Sequence, residues 1–202
     1  MDKTINYYNH ASELLTLKYE TADVSNIHNL LLNTFNQEYK LLEIGCGSGR
    51  DTSYMIKNGY DVIGIDGSIK MIEEAKKLHP ELYSKIFHKI LPNDLDFNDK
   101  FDGIYSIATL MHLSQIDLEK TILNIYNLLN TNGKFLMSVS LFRNDINKNG
   151  FDEKGRFFLT LSKNEWISVL ENNGFKIEDT ITNKDGLNRE SISWLTIISK
   201  KK

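Results

Sequence analysis

The chain carries 202 residues, with 27 acidic side chains against 24 basic ones, a net charge of −3 and a pI near 6.0. That length accommodates one domain with a substantial core, and the charge balance gives no global field to draw nucleic acid or an anionic membrane. The single cysteine, Cys46, excludes an internal disulfide framework, and the first residues, MDKTINYYNHASELL, lack the basic flank and apolar stretch of a signal peptide.

In chain order, residues 2–20 predict an amphipathic helix with Ile5, Tyr8, Leu15 and Tyr19 along one side. Residues 25–36 predict a second helix, with Ile27, Leu30, Leu31 and Phe35 at helical spacing. Strands and helices then alternate: KLLEIG strand, RDTSYMIKN helix, DVIGID strand, SIKMIEEAKKLH helix, then SKIFHKI and FDGIYSIATL as strands. DLEKTILNIYNLLN reads as a helix closed by the stop signal TNG, and GKFLMSVSL as the strand after it. The polar stretch FRNDINKNGFDEKG, 142–155, predicts a loop over the site. SKNEWISVLENNG is a further helix ending at Gly174, and FKIEDTIT and SISWLTIIS are final strands. The short connection NKDGLNRE between them predicts an antiparallel hairpin at one edge of the sheet. No apolar run approaches the roughly 18–20 residues of a spanning helix, so a soluble, cytoplasmic protein is expected. Strands around Leu41, Val62 and Ile104 are apolar on both faces, as a parallel sheet covered on each side requires. The alternation therefore predicts a doubly wound α/β sheet.

The stretch EIGCGSGR places Gly45, Gly47 and Gly49 at alternate positions directly after the first core strand. Arg50 stands where the dinucleotide fingerprint G-x-G-x-x-G has its third glycine, so that fingerprint fails. Gly45 and Gly47 still leave room for a ligand where a β-carbon would intrude. The second strand ends in Asp66, about 20 residues on, where a carboxylate accepts both hydroxyl hydrogens of a ribose. The plainer alternative is a tight turn, with Asp66 capping the helix that begins at Ser68.

The pattern LLEIGCGSGRD, GYDVIGIDGSIKMIEEAKK, FDGIYSIATLMHL and LLNTNGKFLMSV resembles the class I S-adenosylmethionine-dependent methyltransferases over nearly the whole chain. It is similar in particular to the small bacterial branch of tellurite-resistance-type enzymes, which have elements like KGRFF and DGLNRESISWL. The resemblance implies a Rossmann-like, mostly parallel sheet of seven strands with a C-terminal antiparallel hairpin. It further implies one methyltransferase domain over 1–202, with a helical lid (1–37) on an α/β core (38–202). S-adenosylmethionine is the implied cofactor. On that resemblance Glu43 helps hold the methionine amino group, and Gly45, Cys46 and Gly47 lie along the methionine and ribose. Asp66, followed by Gly67, binds the ribose hydroxyls, Met71 lies beside the adenine, and Ala108 lines the wall near the sulfonium. Lys89 or Ile90 falls where related enzymes carry an adenine-binding acid, with Asp94 and Asp96 beyond, so that contact stays unassigned.

Methyl transfer from a sulfonium is an in-line displacement, and holding the reactants at near-attack distance supplies roughly 7–11 kcal/mol of the barrier. His112, just past the fourth strand, is the candidate base for an acceptor that must lose a proton; its plainer role is to pack or cap a turn. Tyr7 and Tyr8 lie on the lid helix, either closing the site or packing in the core. Arg156 and Arg189 are candidate clamps for an anionic acceptor, or partners of Asp152, Asp179 or Asp185. Trp166 reads as core, and Trp194, on an edge strand, as core or pocket wall. A reactive role for Cys46 is disfavoured without a nearby base. His10, His28, His79 and His88 show no metal-ligand spacing.

The only prolines are Pro80 and Pro92, so the chain contains neither the N/D-P-P-Y motif of amino-methylating nucleic-acid enzymes nor the Pro-Cys pair of cytosine carbon-5 enzymes. With no basic excess to engage phosphates, nucleic acid is a disfavoured partner and a small-molecule acceptor is favoured. A macromolecular acceptor (a tRNA wobble base or a protein side chain) and a non-catalytic S-adenosylmethionine-binding protein are the alternatives. The sequence names neither the acceptor nor the oligomeric state.

Overall fold

Leu42, Ile44, Ile104, Phe135 and Met137 pack into one apolar cluster, while Leu41, Tyr105 and Leu136 join a second. Neighbouring residues of one strand thus point to opposite clusters, the period-two signature of a sheet covered on both faces. The computed structural model describes residues 2–184 and 192–202. Its elements are α1 (Asp2–His10), α2 (Ser12–Glu20), α3 (Ser25–Thr34), β1 (Lys40–Ile44), α4 (Arg50–Lys57), β2 (Asp61–Asp66) and α5 (Ile69–Leu78). They continue with β3 (Ile86–His88), β4 (Phe101–Ile107), α6 (Gln115–Leu128), β5 (Leu129–Phe142), α7 (Lys163–Asn172), β6 (Phe175–Lys184) and β7 (Ser193–Lys201).

The sheet has seven strands in the order β3-β2-β1-β4-β5-β7-β6. β7 runs antiparallel between β5 and β6, and every other pairing is parallel. The chain winds outward from β1 in one direction and from β4 in the other, so the switch point lies between those strands, where open α/β sheets bind ligands. α6 and α7 cover one face through Leu118, Ile122, Ile125, Trp166 and Leu170; α3 and α4 cover the other through Leu31 and Met55. Hydroxyl caps fix three helix starts. Ser68 accepts from the Met71 N–H, Ser114 from that of Asp117, and Ser162 forms a reciprocal capping box with Glu165.

Three expectations and one alternative need correction. The helix expected over 2–20 is two helices, interrupted at Ala11 (φ −105°, ψ 11°). The TNG signal does not separate α6 from a strand at Gly133. β5 begins at Leu129, which pairs with Phe101, and the left-handed Asn132 (φ 64°) instead accompanies a register shift inside the strand. Asp66 does not cap α5, because Ser68 does. Trp194 lies on an interior strand, its neighbours being Ser140 on β5 and Asn183 on β6. The polar loop folds over the site as expected, pinned by bridges between Ile146 and Asp152 and between Phe151 and Phe157. The hairpin connection at 185–191 lies outside the described residues.

Candidate active site

β1 ends at Ile44, and its turn is shaped by neighbours as much as by space for a ligand. Gly45 takes φ 80°, and a β-carbon there would fall 1.9 Å from Thr109 Oγ1, so this glycine is demanded by Thr109. Gly47 is the open position, with Met71 Cε the nearest atom at 3.9 Å. At Gly49 a β-carbon would meet Leu82 at 2.5 Å and Ala75 at 3.2 Å. Gly49 therefore does the packing that the sequence comparison sought from a glycine at position 50.

Asp66 closes β2 beside this turn. Its Oδ2 accepts the Gly47 N–H at 2.9 Å and its Oδ1 the Ser68 N–H at 2.7 Å, which fixes the carboxylate plane. Burial raises its pKa against the pull of those two N–H groups. Glu43, on β1, is 2% exposed and accepts hydroxyls from Thr52 and Tyr105 on the same oxygen, Oε2. Burial, reinforced by Asp51, pushes its carboxyl up to about 8. Asp51 goes the other way. Although burial opposes its charge, His28 and Arg50 hold it down to about 2. Arg50 binds Asp51 through Nε and Nη2 and gives Nη1–H to the Tyr19 carbonyl, tying the end of α2 to the start of α4.

Glu43, Gly45, Cys46, Gly47, Asp66, Gly67, Met71 and Ala108 all line one cavity of about 530 Å³. So do Tyr8, His112 and Arg156. Ala108 stands at φ 58°, a strained backbone for an L-residue, at the end of β4. Burial pushes the Cys46 thiol up, away from reactivity. Lys89 and Leu91 line the cavity in the segment after β3, where the sequence left a contact unassigned. Trp194 is part of the wall and Trp166 is core. Arg189 lies outside the described residues. Arg156 binds Asp152 through Nε at 2.8 Å and Nη2 at 2.6 Å, the ion pair weighed as its plainer role, while also facing the cavity.

At this end the Tyr8 hydroxyl is 3.2 Å from His112 Nε2, and His112 Nδ1 is 2.6 Å from the Phe157 carbonyl oxygen. A carbonyl only accepts, so Nδ1 carries the proton and Nε2 presents its lone pair to Tyr8. Burial lowers His112 to about 4, so the ring is neutral near pH 7. Arg143 was missed by sequence reasoning; it lines the cavity, binds Asp145 and stacks 3.8 Å from the Phe158 ring centroid. Its only sequence signal is an arginine directly after β5. Tyr19 also lines the cavity, and so do Ile5 and Leu15. The apolar side expected of the first helix therefore faces this space.

The donor set fits an adenosyl sulfonium. Asp66 presents a fixed carboxylate for a ribose diol, and Met71, Ile65 and Leu91 offer an apolar wall. Glu43 is a buried carboxyl whose hydroxyl partners carry no charge, and a bound ammonium would favour its ionised form. Among the described residues no group of three or more His, Cys, Asp or Glu is placed to hold a metal, and no helix is long and apolar enough to cross a membrane.

Fold and site together define a doubly wound α/β protein with a cavity at the switch point of its sheet. Residues 17–180 match the family described as methyltransferase domain, and the chain belongs to that family. It is an S-adenosylmethionine-dependent methyltransferase. It is 26% identical over 175 residues to an uncharacterized methyltransferase of Schizosaccharomyces pombe, covering 77% of this chain and 67% of that one. With the probable S-adenosyl-L-methionine-dependent methyltransferase TehB of Haemophilus influenzae it shares 25% identity, over 100% of this chain and 71% of TehB. A Burkholderia thailandensis 1,6-didemethyltoxoflavin-N1-methyltransferase, solved with its acceptor and S-adenosylhomocysteine, superposes with a TM-score of 0.79 at 18% identity. That match spans 99% of this chain and 88% of the other, and it concerns the fold.

Proposed function

We propose that this chain transfers the methyl group of S-adenosylmethionine to a small-molecule acceptor enclosed beneath α1, α2 and the segment 143–158. The observation that carries this reading is the continuity of the cavity. One space of about 530 Å³ runs from the Gly45–Gly47 turn and Asp66 to Tyr8, His112 and Arg156. Its size falls within the roughly 300–1,000 Å³ of small-molecule sites, whereas a nucleic acid or a folded protein would need an open groove. The net charge of −3 also argues against a nucleic-acid partner. The donor-binding roles go to Glu43, Gly45, Cys46, Gly47, Asp66, Gly67, Met71 and Ala108. Tyr8 and Arg156 face the acceptor, Arg189 joins them on the sequence argument alone, and His112 is the base. In this reading residues 1–37 form a lid on the core 38–202 of one domain.

Incubation with methyl-labelled donor and a cellular small-molecule extract is expected to place label in the low-mass fraction. Label confined to tRNA or protein would overturn the small-molecule reading. Asp66→Ala should weaken S-adenosylhomocysteine binding by about 1.5–3 kcal/mol, the worth of a hydrogen bond to a charged group. Unchanged affinity by calorimetry would remove Asp66 from the ribose site.

A further inference from the structure

Resting on that reading, we propose that Tyr8 is a catalytic residue that passes the acceptor's proton to His112, and that the acceptor is therefore a neutral hydroxyl or thiol. The geometry begins with the tautomer. The Phe157 carbonyl fixes the proton of His112 on Nδ1, leaving the Nε2 lone pair as the only basic position of the ring. That lone pair is 3.2 Å from the Tyr8 hydroxyl, so the phenol is placed to hand a proton on to it. Both side chains line the cavity, and Arg156 approaches the phenol closely enough to interact with it and oppose the effect of burial on its ionisation. The phenol and imidazole rings meet edge to face, with centroids 5.8 Å apart, and the Phe158 ring packs against His112 at 4.5 Å.

The step balances without a further reactant. The acceptor's lone pair forms the bond to the methyl carbon, and the electrons of the broken carbon–sulfur bond stay on sulfur. As the acceptor's proton moves to Tyr8 Oη, the Tyr8 proton moves to His112 Nε2. The site loses the positive charge of the sulfonium and gains that of the imidazolium, so its net charge is unchanged. The relay itself selects the acceptor class, because an Nε2 lone pair fixed by the Phe157 carbonyl and met by the Tyr8 hydroxyl serves an acceptor that must give up a proton as it is methylated; the weakness of the base agrees with this. His112, held down to about 4 by burial with Arg156 and Arg143 adding to the effect and Asp152 opposing it, is a weak base. A hydroxyl or thiol acquires a strongly acidic proton as it is methylated, and a weak base takes that proton readily. A methylated amine holds its proton more tightly than this imidazole does. Tyr8 itself is faced by Arg156, Tyr19 and Asp66.

The experiment has two arms. In ¹⁵N-histidine NMR of the intact protein, His112 should appear as the Nδ1–H tautomer with a hydrogen-bonded Nε2, and Tyr8→Phe should shift the Nε2 resonance toward the unbonded position. An Nε2–H tautomer, or an Nε2 resonance indifferent to Tyr8→Phe, overturns the relay. The second arm measures S-adenosylhomocysteine formation with phenol, 2-mercaptoethanol and benzylamine as probe acceptors, from about pH 6 to 9. Wild type should methylate the hydroxyl or thiol probe and leave the amine. Tyr8→Phe and His112→Gln should cut kcat by about 10²-fold or more at low pH, with S-adenosylhomocysteine affinity within threefold of wild type. The deficit should shrink as the thiol ionises by itself at higher pH. A deficit equal at every pH marks a merely structural role and overturns the proposal, and so does a preference for the amine or no transfer to any probe. If wild type binds no S-adenosylhomocysteine, it is the methyl-transfer reading that falls, not the relay alone.

Discussion

At the residue scale, Glu43 links cofactor binding to a proton. Its carboxyl, pushed up to about 8, is largely protonated at neutral pH. The donor's ammonium group, proposed beside it, favours the carboxylate and expels that proton. The association constant for S-adenosylhomocysteine should therefore climb by as much as about tenfold per pH unit between roughly pH 6 and 8, the limit for one linked proton. Calorimetry in buffers of different ionisation enthalpy reads the released proton directly. Glu43→Gln should bind with a flat pH profile, and a flat wild-type profile would show that no ammonium group meets this carboxyl. The neighbouring glycines teach a related lesson. Gly45 is legible as a turn, but its collision partner, Thr109, lies 64 residues away and belongs to a different strand end.

At the element scale, α1 is a strap fastened on both sides of the cavity. Thr4 Oγ1 accepts the Phe157 N–H at 2.9 Å, and Tyr8 meets His112. Asn9 Oδ1 accepts the Ser68 hydroxyl at 2.7 Å and the Lys70 N–H at 3.2 Å, binding α1 to the start of α5. Asn9→Ala releases that second fastening while water replaces it at the exposed Lys70 N–H, so the stability cost should be about 0.5–1.5 kcal/mol. The dissociation rate of S-adenosylhomocysteine, followed by stopped-flow, should rise several-fold. An unchanged rate would mean that α1 does not open for exchange. The pattern of Ile5, Tyr8, Leu15 and Tyr19 announced a covered helix side. It did not announce that the cover is a ligand cavity, because a periodicity marks a buried side without saying what buries it.

At the scale of the whole molecule, two buried groups set opposite pH dependences for the cofactor-free fold. Glu43, raised from 4.5 to about 8, keeps a proton in the folded state that the unfolded chain has released, so stability falls as pH rises across that window. His112, lowered from 6.5 to about 4, stays neutral in the fold where the unfolded chain is charged, so stability rises with pH between those values. The two slopes oppose each other from pH 4.5 to 6.5, and Asp66, raised by burial, adds to the Glu43 side in acid. Above that the His112 slope is spent and the Glu43 slope prevails, so stability falls as pH rises toward 8. Thermal melts should show stability declining above about pH 6.5, and Glu43→Gln should abolish that decline. A constant melting temperature from pH 6.5 to 8 would contradict the buried-carboxyl account.

The sequence by itself determined the winding of the sheet, the turn after β1, the carboxylate closing β2 and the final antiparallel hairpin. Each of these is written in local spacing: fully apolar strands alternating with helical patterns, glycines next to a strand end, two strands divided by a short polar connection. Only the tertiary structure decided that Tyr8 meets His112, 104 positions away, that Arg156 is already held by Asp152, and that Arg143 faces the same space. The physical reason is that side-chain partners across a cavity are set by how helices and loops pack over the sheet. Such packing depends on the summed shape of many residues and leaves no fixed spacing in the chain.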